Sequence, residues 1–458
     1  MRRAITTITP ARGRNIELLL IAVAIGVVIL AYVNVTVAED GEIPPDLLGH
    51  TGLLAAIALV VHLVLRWRAS FADPIILPIA TLLNGLGVVM IHRLDLAAGR
   101  DFTSGLALRQ LIWTGLGVAI AVAVLIALRD HRVLRRYTYT AGALALVFIA
   151  LPLTPLGHSV FGARIWIKVG AFTFQPAEVA KILLAIFFAG YLVQTRDMLA
   201  LAGKKFLGIT FPRPRDLGPL VIAWLAAALV LVLENDFGTT LLIFGLFVAM
   251  LYVATERVSW IVLGLSLAAA GALIVYQFAS HVQTRVLCWT DTFSDEGMEQ
   301  CGQLTTGIMG MAAGGISGTG LGRGRPWLTP LPESDFIFTS LGEELGLIGV
   351  FAIIMLYALL VERGLRSAIG LRDGFGKLLA TGLTFVLAIQ VFVVIGGVTR
   401  VIPLTGLTLP FVAYGGSSIL TNWTLVALLL RISDHARRPE PEFDPASMDQ
   451  PTQVVKTR

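Results

Sequence analysis

The chain has 458 residues, 56% of them hydrophobic and 14% charged, with a formal net charge of +5. A soluble protein carries roughly a quarter of its residues as charged side chains, so this composition excludes an ordinary soluble protein. The mean hydropathy is +0.80, and the apolar residues come in blocks of about 20, the length that a helix needs to cross a bilayer. The sequence therefore predicts an all-α polytopic membrane protein.

In chain order, twelve apolar blocks are separated by charged or turn-rich breaks, which predicts about twelve transmembrane helices. The first block is too long for a signal-peptide core and no small-residue cleavage site follows it, so we expect it to remain as a helix. The predicted spans are 16–38, 47–67, 74–92, 109–128, 138–156, 176–195, 217–234, 238–254, 258–278, 337–361, 376–396 and 417–432.

Lysine and arginine concentrate in alternate connections, including 129–136, 204–215 and 362–377. Because positive residues stay on the cytoplasmic side, this pattern predicts cytoplasmic termini and places the long polar loop 279–336 outside a bacterial cytoplasmic membrane. The sequence pI of about 9.3 then reflects inner loops that face anionic lipid. We expect membrane lipid and no nucleic acid among the partners.

The first polar stretch on the outer side runs from 157 to 181. Pro176 suits the first turn of a helix, and Glu178 and Lys181 are then neighbours on one helical face. The pair is either a structural ion pair or part of a charged substrate site, and the nearby Arg164 and Lys168 favour an anion site.

The next outer connection, 234–239, is a tight polar turn between two apolar spans. Asp236 at its centre either caps the following helix or has a functional role. Both interpretations remain open from the sequence.

The long loop carries both cysteines of the chain, Cys288 and Cys301, which form a disulfide outside the cell or remain free thiols. Its glycine-rich part, 310–324, follows no predicted strand, so a dinucleotide site is not predicted, and no phosphate-binding loop motif indicates a nucleotide. The loop closes at Asp335, directly before an apolar helix. Holding a charged carboxylate at the end of a membrane helix costs free energy, which indicates that this residue has a function. We therefore place the chemistry at Asp335.

The last outer stretch, 402–418, contains Pro403, Pro410 and a pair of glycines, which a plain spanning helix does not tolerate. Irregular backbone at membrane depth occurs only where protein or a cavity surrounds it. The sequence therefore predicts a re-entrant segment that lines a groove. Arg400 lies at its mouth as a candidate phosphate contact.

Taken together, these segments resemble the shape, elongation, division and sporulation (SEDS) family of peptidoglycan glycosyltransferases, the RodA and FtsW proteins. The resemblance covers roughly 74–434, as a ten-helix core, and leaves 1–73 as a cytoplasmic N-terminus with two additional helices and 435–458 as a disordered cytoplasmic tail. Gly396–Arg400 and the short tail look more like RodA than FtsW. The matching stretches, in family order, are Gly162–Ile167, Gln175–Lys181, Asp236–Thr239, Gly314–Gly322, Asp335–Gly346 and Pro403–Ser418.

The resemblance implies an enzyme that polymerises lipid II into glycan strands at the outer face of the membrane during cell elongation. Asp335 matches the family's essential carboxylate, which acts as general base or as ligand of an assisting divalent cation such as magnesium or manganese. The resemblance implies no nucleotide cofactor. It also implies a class B penicillin-binding protein, a transpeptidase, as partner. The substrate-binding set that it implies is Arg164, Trp166, Glu178, Lys181, Asp236, Gln303 and Arg400.

Two departures from the family pattern affect this site. Glu333 and Ser334 stand where histidine and threonine are usual, and Cys301 and Gly302 replace apolar residues inside the Gln300–Gln303 pair.

Three alternatives stay open: a lipid II flippase, an FtsW-like division polymerase, and a scaffold for a penicillin-binding protein. A transporter concentrates charged residues near the bilayer midplane, whereas here they lie at the outer edge, which favours the enzyme.

Overall fold

A computed structural model of the protein describes residues 13–42, 47–101, 103–160, 163–170, 172–201, 203–206, 209–212 and 214–439. The predicted features at 1–12 and 440–458, and the family residues 161 and 162, lie outside the described residues. The last helix continues through Arg437, so residues 435–437, which the sequence assigned to the tail, are helical.

The twelve predicted spans all fall on helices, so the chain is a multi-pass, largely α-helical membrane protein. The helices that carry the twelve spans are α1 (Arg14–Asp40), α2 (Leu47–Arg68), α3 (Ile76–Ala97), α4 (Leu106–Ala127), α5 (Thr138–Ala150), α6 (Pro176–Leu201), α7 (Pro214–Leu233), α8 (Phe237–Thr255), α9 (Ser259–Phe278), α13 (Ile337–Gly370), α14 (Gly374–Val398) and α15 (Gly416–Arg437). Among the described residues, ten helices are long and apolar enough to cross a membrane; α7, whose apolar part is Val221–Leu233, and α15 fall short of that standard.

Contacts between helix ends define two faces of the protein. On the first, the termini face, the Arg14 guanidinium donates to the Ala72 carbonyl and the Phe71 amide donates to Asp434. On the opposite face, the loop face, the Trp289 indole donates to the Arg400 carbonyl. The long loop 279–336 and all the predicted site residues belong to the loop face.

The connection between α5 and α6 is a three-stranded antiparallel sheet of β1 (Gly157–Val160), β2 (Ala163–Val169) and β3 (Phe172–Phe174), in that order. Strands were not expected in this all-α chain. They form because β2 alternates charged residues with β-branched and aromatic ones, which favours a half-exposed strand. A second hairpin, β4 (Gly203–Phe206) with β5 (Ile209–Pro212), lies on the termini face.

The loop 279–336 is folded rather than extended. It contains α10 (Ser280–Thr290), α11 (Asp295–Gln300), α12 (Gly302–Gly314) and a short 3-10 helix, Pro326–Leu328. Cys288 and Cys301 form a disulfide, so of the two possibilities left by the sequence the bonded one is present. The crosslink ties the end of α10 to the start of α12.

Residues 401–415 form an irregular segment surrounded by protein, as the sequence predicts for a re-entrant segment. Leu409, Phe411 and Val412 are buried, and polar groups of the surrounding helices accept or supply the hydrogen bonds that its backbone lacks internally. Gln390 donates to the Thr408 carbonyl at 2.9 Å, and Gln110 donates to the Ala413 carbonyl at 2.9 Å.

Candidate active site

Asp335 lies in the turn that leads into α13, at the loop face, and its side chain is half-buried. Burial raises the pKa of the Asp335 carboxyl to about 6, the Arg285 guanidinium opposes this rise, and Glu333 adds to it. The neighbouring backbone is anchored, because the Tyr414 amide donates to the Glu333 carbonyl at 2.8 Å. A carboxylate held in place with a pKa near neutrality suits a general base.

Arg285 on α10 is the cation nearest to this chemistry, and sequence reasoning missed it. Its guanidinium interacts electrostatically with both Asp236 and Asp335, and it donates to the Thr405 carbonyl at 3.4 Å. A half-buried arginine that interacts with two carboxylates offers a planar donor fork to a phosphate. The sequence offers one indication of a role for Arg285: it is the single charged residue of the stretch 281–290 apart from His281.

Glu178 and Lys181 form a buried ion pair in the first turns of α6. The Lys181 ammonium donates to Glu178 at 2.7 Å and to the side-chain carbonyl of Gln390 at 2.6 Å. The lysine is 2% exposed and the glutamate 6%. The predicted pairing on one helical face is present, and Gln390 on α14 is a partner that sequence spacing could not show.

Asp236 does cap α8, since the Thr239 amide donates to its Oδ1 at 2.9 Å. Its Oδ2 and both carboxyl oxygens of the neighbouring Glu234 are buried and have no hydrogen-bond partner among the described residues. Burial raises the pKa of both carboxyls, that of Glu234 to about 8, and the Asp236 charge contributes to the Glu234 shift. The capping role leaves one Asp236 oxygen for a ligand or for water.

Arg164 and Trp166 lie on β2, the central strand of the loop-face sheet. The Arg164 guanidinium donates to the Thr154 carbonyl at 2.8 Å, while its amide donates to the Glu234 carbonyl at 3.2 Å. The sheet is thereby tied to the turn that carries Asp236. Arg164 is exposed and Trp166 half-buried, so both can meet a ligand from the loop face.

Arg400 follows α14 and Gln303 lies on α12. The Arg400 guanidinium donates to the Trp289 carbonyl, at 3.1 and 2.8 Å, and to the Thr290 carbonyl at 3.2 Å. These bonds anchor the end of α10. Gln303 is exposed on α12. The roles of both residues toward a substrate stay predictions.

The described residues contain one group of histidines and acids that could hold a metal ion: Asp130, His131 and His435, whose ligand atoms lie within 4.8 Å of one another. It lies on the termini face, where His131 also contacts Asp373, and not at Asp335. At Asp335 the Glu333 carboxylate acts on the same site, and Arg285 interacts with both Asp335 and Asp236. A divalent cation there would need substrate phosphates to complete its ligands, as magnesium commonly does.

An apolar groove runs between α4, α6 and α15, with a cavity volume of about 570 Å³. Val179 and Phe174 line its end on the loop face, next to the Glu178–Lys181 pair, and Tyr137 lines the other end. Almost all of its surface is hydrocarbon. Such a groove fits an extended lipid chain whose polar head lies at the loop face.

The family profile FTSW_RODA_SPOVE, described as "Cell cycle protein", matches residues 74–438. "Peptidoglycan glycosyltransferase RodA" of Mycobacterium tuberculosis is 48% identical over 95% of this chain and 93% of its own length. "Probable peptidoglycan glycosyltransferase FtsW" of a Geobacter species is 32% identical over 81% of this chain and 99% of its own.

Among solved structures, one similar chain comes from a structure described as "Structural coordination of polymerization and crosslinking by a peptidoglycan synthase complex". It superposes with a TM-score of 0.64 at 26% identity and covers 80% of this chain and 98% of its own length.

Proposed function

We infer, because the chain belongs to the family of FtsW, RodA and SpoVE, that it is a peptidoglycan glycosyltransferase of the RodA kind. The observation that carries this assignment to a site is the half-buried Asp335 beside Arg285 on the loop face. The sequence identity of the chain is higher with mycobacterial RodA than with the Geobacter FtsW, which favours a role in cell elongation over one in division.

The reaction that we propose joins two lipid-linked sugars. The 4-hydroxyl oxygen of the acceptor lipid II attacks the anomeric carbon of the growing chain, its proton passes to the Asp335 carboxylate, and the bond to the lipid pyrophosphate breaks with inversion. General-base removal of that proton speeds such a step by about 10²- to 10⁴-fold. No nucleotide is needed, because the donor is already activated by its pyrophosphate.

The leaving pyrophosphate needs positive charge as it departs. We assign this role first to Arg285, which interacts with Asp335 and Asp236. Arg164 and Lys181 would supply additional positive charge. Glu178 holds Lys181, and Trp166, Gln303 and Arg400 contact the sugar or head group. The apolar groove beside Val179 takes the polyprenyl tail.

If a divalent cation assists, Asp335 and Glu333 would hold it together with pyrophosphate oxygens, and it would neutralise charge on the leaving group. We further propose that the loop face is external and that residues 74–434 form the catalytic core, with 1–73 an addition. A class B penicillin-binding protein is the partner that we propose, and the similar chain from a peptidoglycan synthase complex supports it.

The test is incubation of the purified protein with lipid II in detergent, with and without a class B penicillin-binding protein, followed by gel analysis of glycan strands. We expect polymer. Transport of lipid II across liposome membranes with no polymer in either condition would instead establish the flippase alternative.

The rate should depend on pH through Asp335. Because the pKa of its carboxyl is raised to about 6, the base is protonated below that value, and kcat/KM should fall by about tenfold per pH unit there. Glu333 raises this pKa, so Glu333→Gln should move the midpoint to lower pH. The measurement is kcat/KM between about pH 5 and pH 8 for both proteins, and identical midpoints would contradict the assignment.

Replacing Arg285 should impair the chemical step. Loss of one electrostatic stabiliser of this kind costs about 10²- to 10³-fold in kcat, which we expect for Arg285→Gln. Because Arg285 lowers the pKa of Asp335, the pH midpoint should also rise. Arg136→Gln, which changes an exposed arginine on the termini face, is the matched control. Equal rates for the two variants would remove Arg285 from the site.

A further inference from the structure

One buried arginine joins the N-terminal helix α1 to the core at the loop face. Arg93 of α3 is 0% exposed, and its Nη2 lies 2.8 Å from Oε1 of Glu39, at the end of α1. The same Nη2 donates to the Gly324 carbonyl at 3.0 Å, and Nε donates to Glu344 at 3.0 Å. The guanidinium also lies 4.7 Å from the centre of the Trp327 ring.

The residues contacted in the loop form the glycine segment, defined here as 318–325. The Gly322 amide donates to Glu344 at 3.0 Å, and the Arg325 amide donates to Glu343 at 2.6 Å. The first turns of α13 therefore hold this segment through its backbone. Burial of these carboxylates is tolerated because each accepts hydrogen bonds from the segment.

Helix α1 packs directly on the other side of the glycine segment. Gly322 has a φ of 79°, and a Cβ atom there would lie 2.7 Å from the Ala38 Cβ and 2.8 Å from the Val35 carbonyl oxygen. Only glycine fits both the backbone conformation and the space. Deeper in the membrane, Tyr32 of α1 stacks on His92 of α3 with 4.4 Å between ring centres, so α1 is fixed along its outer half.

The two carboxylates on Arg93 differ in their access to water. Glu344 is fully buried, whereas Glu39 is 29% exposed. The Arg93–Glu344 contact is thus shielded from water, whereas the Arg93–Glu39 contact lies where solvent reaches the glutamate. Glu39 also precedes residue 74, where the family profile begins to match, so this contact comes from outside the matched core.

We propose that α1 is a built-in clamp, in which Glu39 acts through Arg93 to hold the glycine segment against α13 and thereby positions Asp335. The glycine segment leads through 326–334 to Asp335, and it is also bonded to Glu343 and Glu344 of the helix that begins at Ile337, so both sides of Asp335 are connected to it. Glu39 is a positioning residue and does not touch substrate. The catalytic part of this inference rests on the function proposed above, and its structural part does not.

The test compares Glu39→Gln with Glu42→Gln, a matched change at an exposed glutamate three residues along the chain. We expect Glu39→Gln to speed amide hydrogen exchange in 318–335 and to lower kcat by about tenfold with KM nearly unchanged, since small misplacements of catalytic groups cost up to about 10²-fold. Glu39→Asp, which keeps the charge, should recover part of kcat.

Exchange in 318–335 that is the same in the two glutamine variants overturns the clamp, whatever the polymerisation rate. Exchange that rises equally in α14 also overturns it, because that pattern shows general destabilisation. Absence of polymerisation by the wild-type protein would instead reject the proposed enzyme, and the exchange comparison would still decide whether Glu39 holds the segment.

Discussion

The Asp335→Asn protein should fold and bind lipid II but polymerise it at least about 10²-fold more slowly than the wild type, the lower end of a general base's contribution. The amide has the shape of the carboxyl but cannot accept the acceptor hydroxyl's proton or ligate a cation. The loss should appear in kcat, since Asp335 acts in the transition state and contributes little to ground-state binding.

The measurement is the initial rate of glycan formation from purified lipid II, beside lipid II binding by the same preparation. Asp295→Asn, an exposed aspartate of the same loop, is the control and should keep the wild-type rate. Wild-type rates for Asp335→Asn would end the assignment of Asp335. A loss of lipid II binding as large as the loss of rate would place it among the binding groups instead.

Of the variants proposed here, Lys181→Met should lower the free energy of unfolding most. It would leave the Glu178 carboxylate, which is 6% exposed and 2.7 Å from the ammonium, without its counter-charge. Breaking a buried ion pair from one side costs about 3–5 kcal/mol, so we expect a lower unfolding temperature and little active protein. This measurement alone does not separate a structural pair from a substrate site.

The double variant Glu178→Gln/Lys181→Gln makes that separation. It removes both charges and keeps hydrogen-bonding side chains, including contact with Gln390, so much of the unfolding temperature should return. If Lys181 binds pyrophosphate, polymerisation should stay at least about tenfold low in this stable protein. Recovery of rate together with stability would show that the pair is structural and would take Lys181 out of the substrate site.

Local patterns in the sequence account for much of the site. Asp335 stands out because a carboxylate at a membrane boundary is costly, and Glu178 and Lys181 because helical spacing makes them neighbours. Asp236 could equally be a cap, and the structure gives it that role, while its other oxygen has no hydrogen-bond partner within the described part of the chain. Arg400 stays a predicted substrate contact, and in the structure its guanidinium donates to the main-chain carbonyls of 289 and 290.

The sequence alone is enough to predict the class of protein, the positions of the twelve helices and an irregular segment at 402–418, of which the structure keeps the part before Gly416, since apolar length and proline are local properties. Three relations depend on helix packing: Arg285 interacts electrostatically with both Asp236 and Asp335, Gln390 accepts a hydrogen bond from Lys181, and Glu39 pairs with Arg93. These groups come from helices distant in the chain, and helix packing, which no local pattern encodes, brings them together.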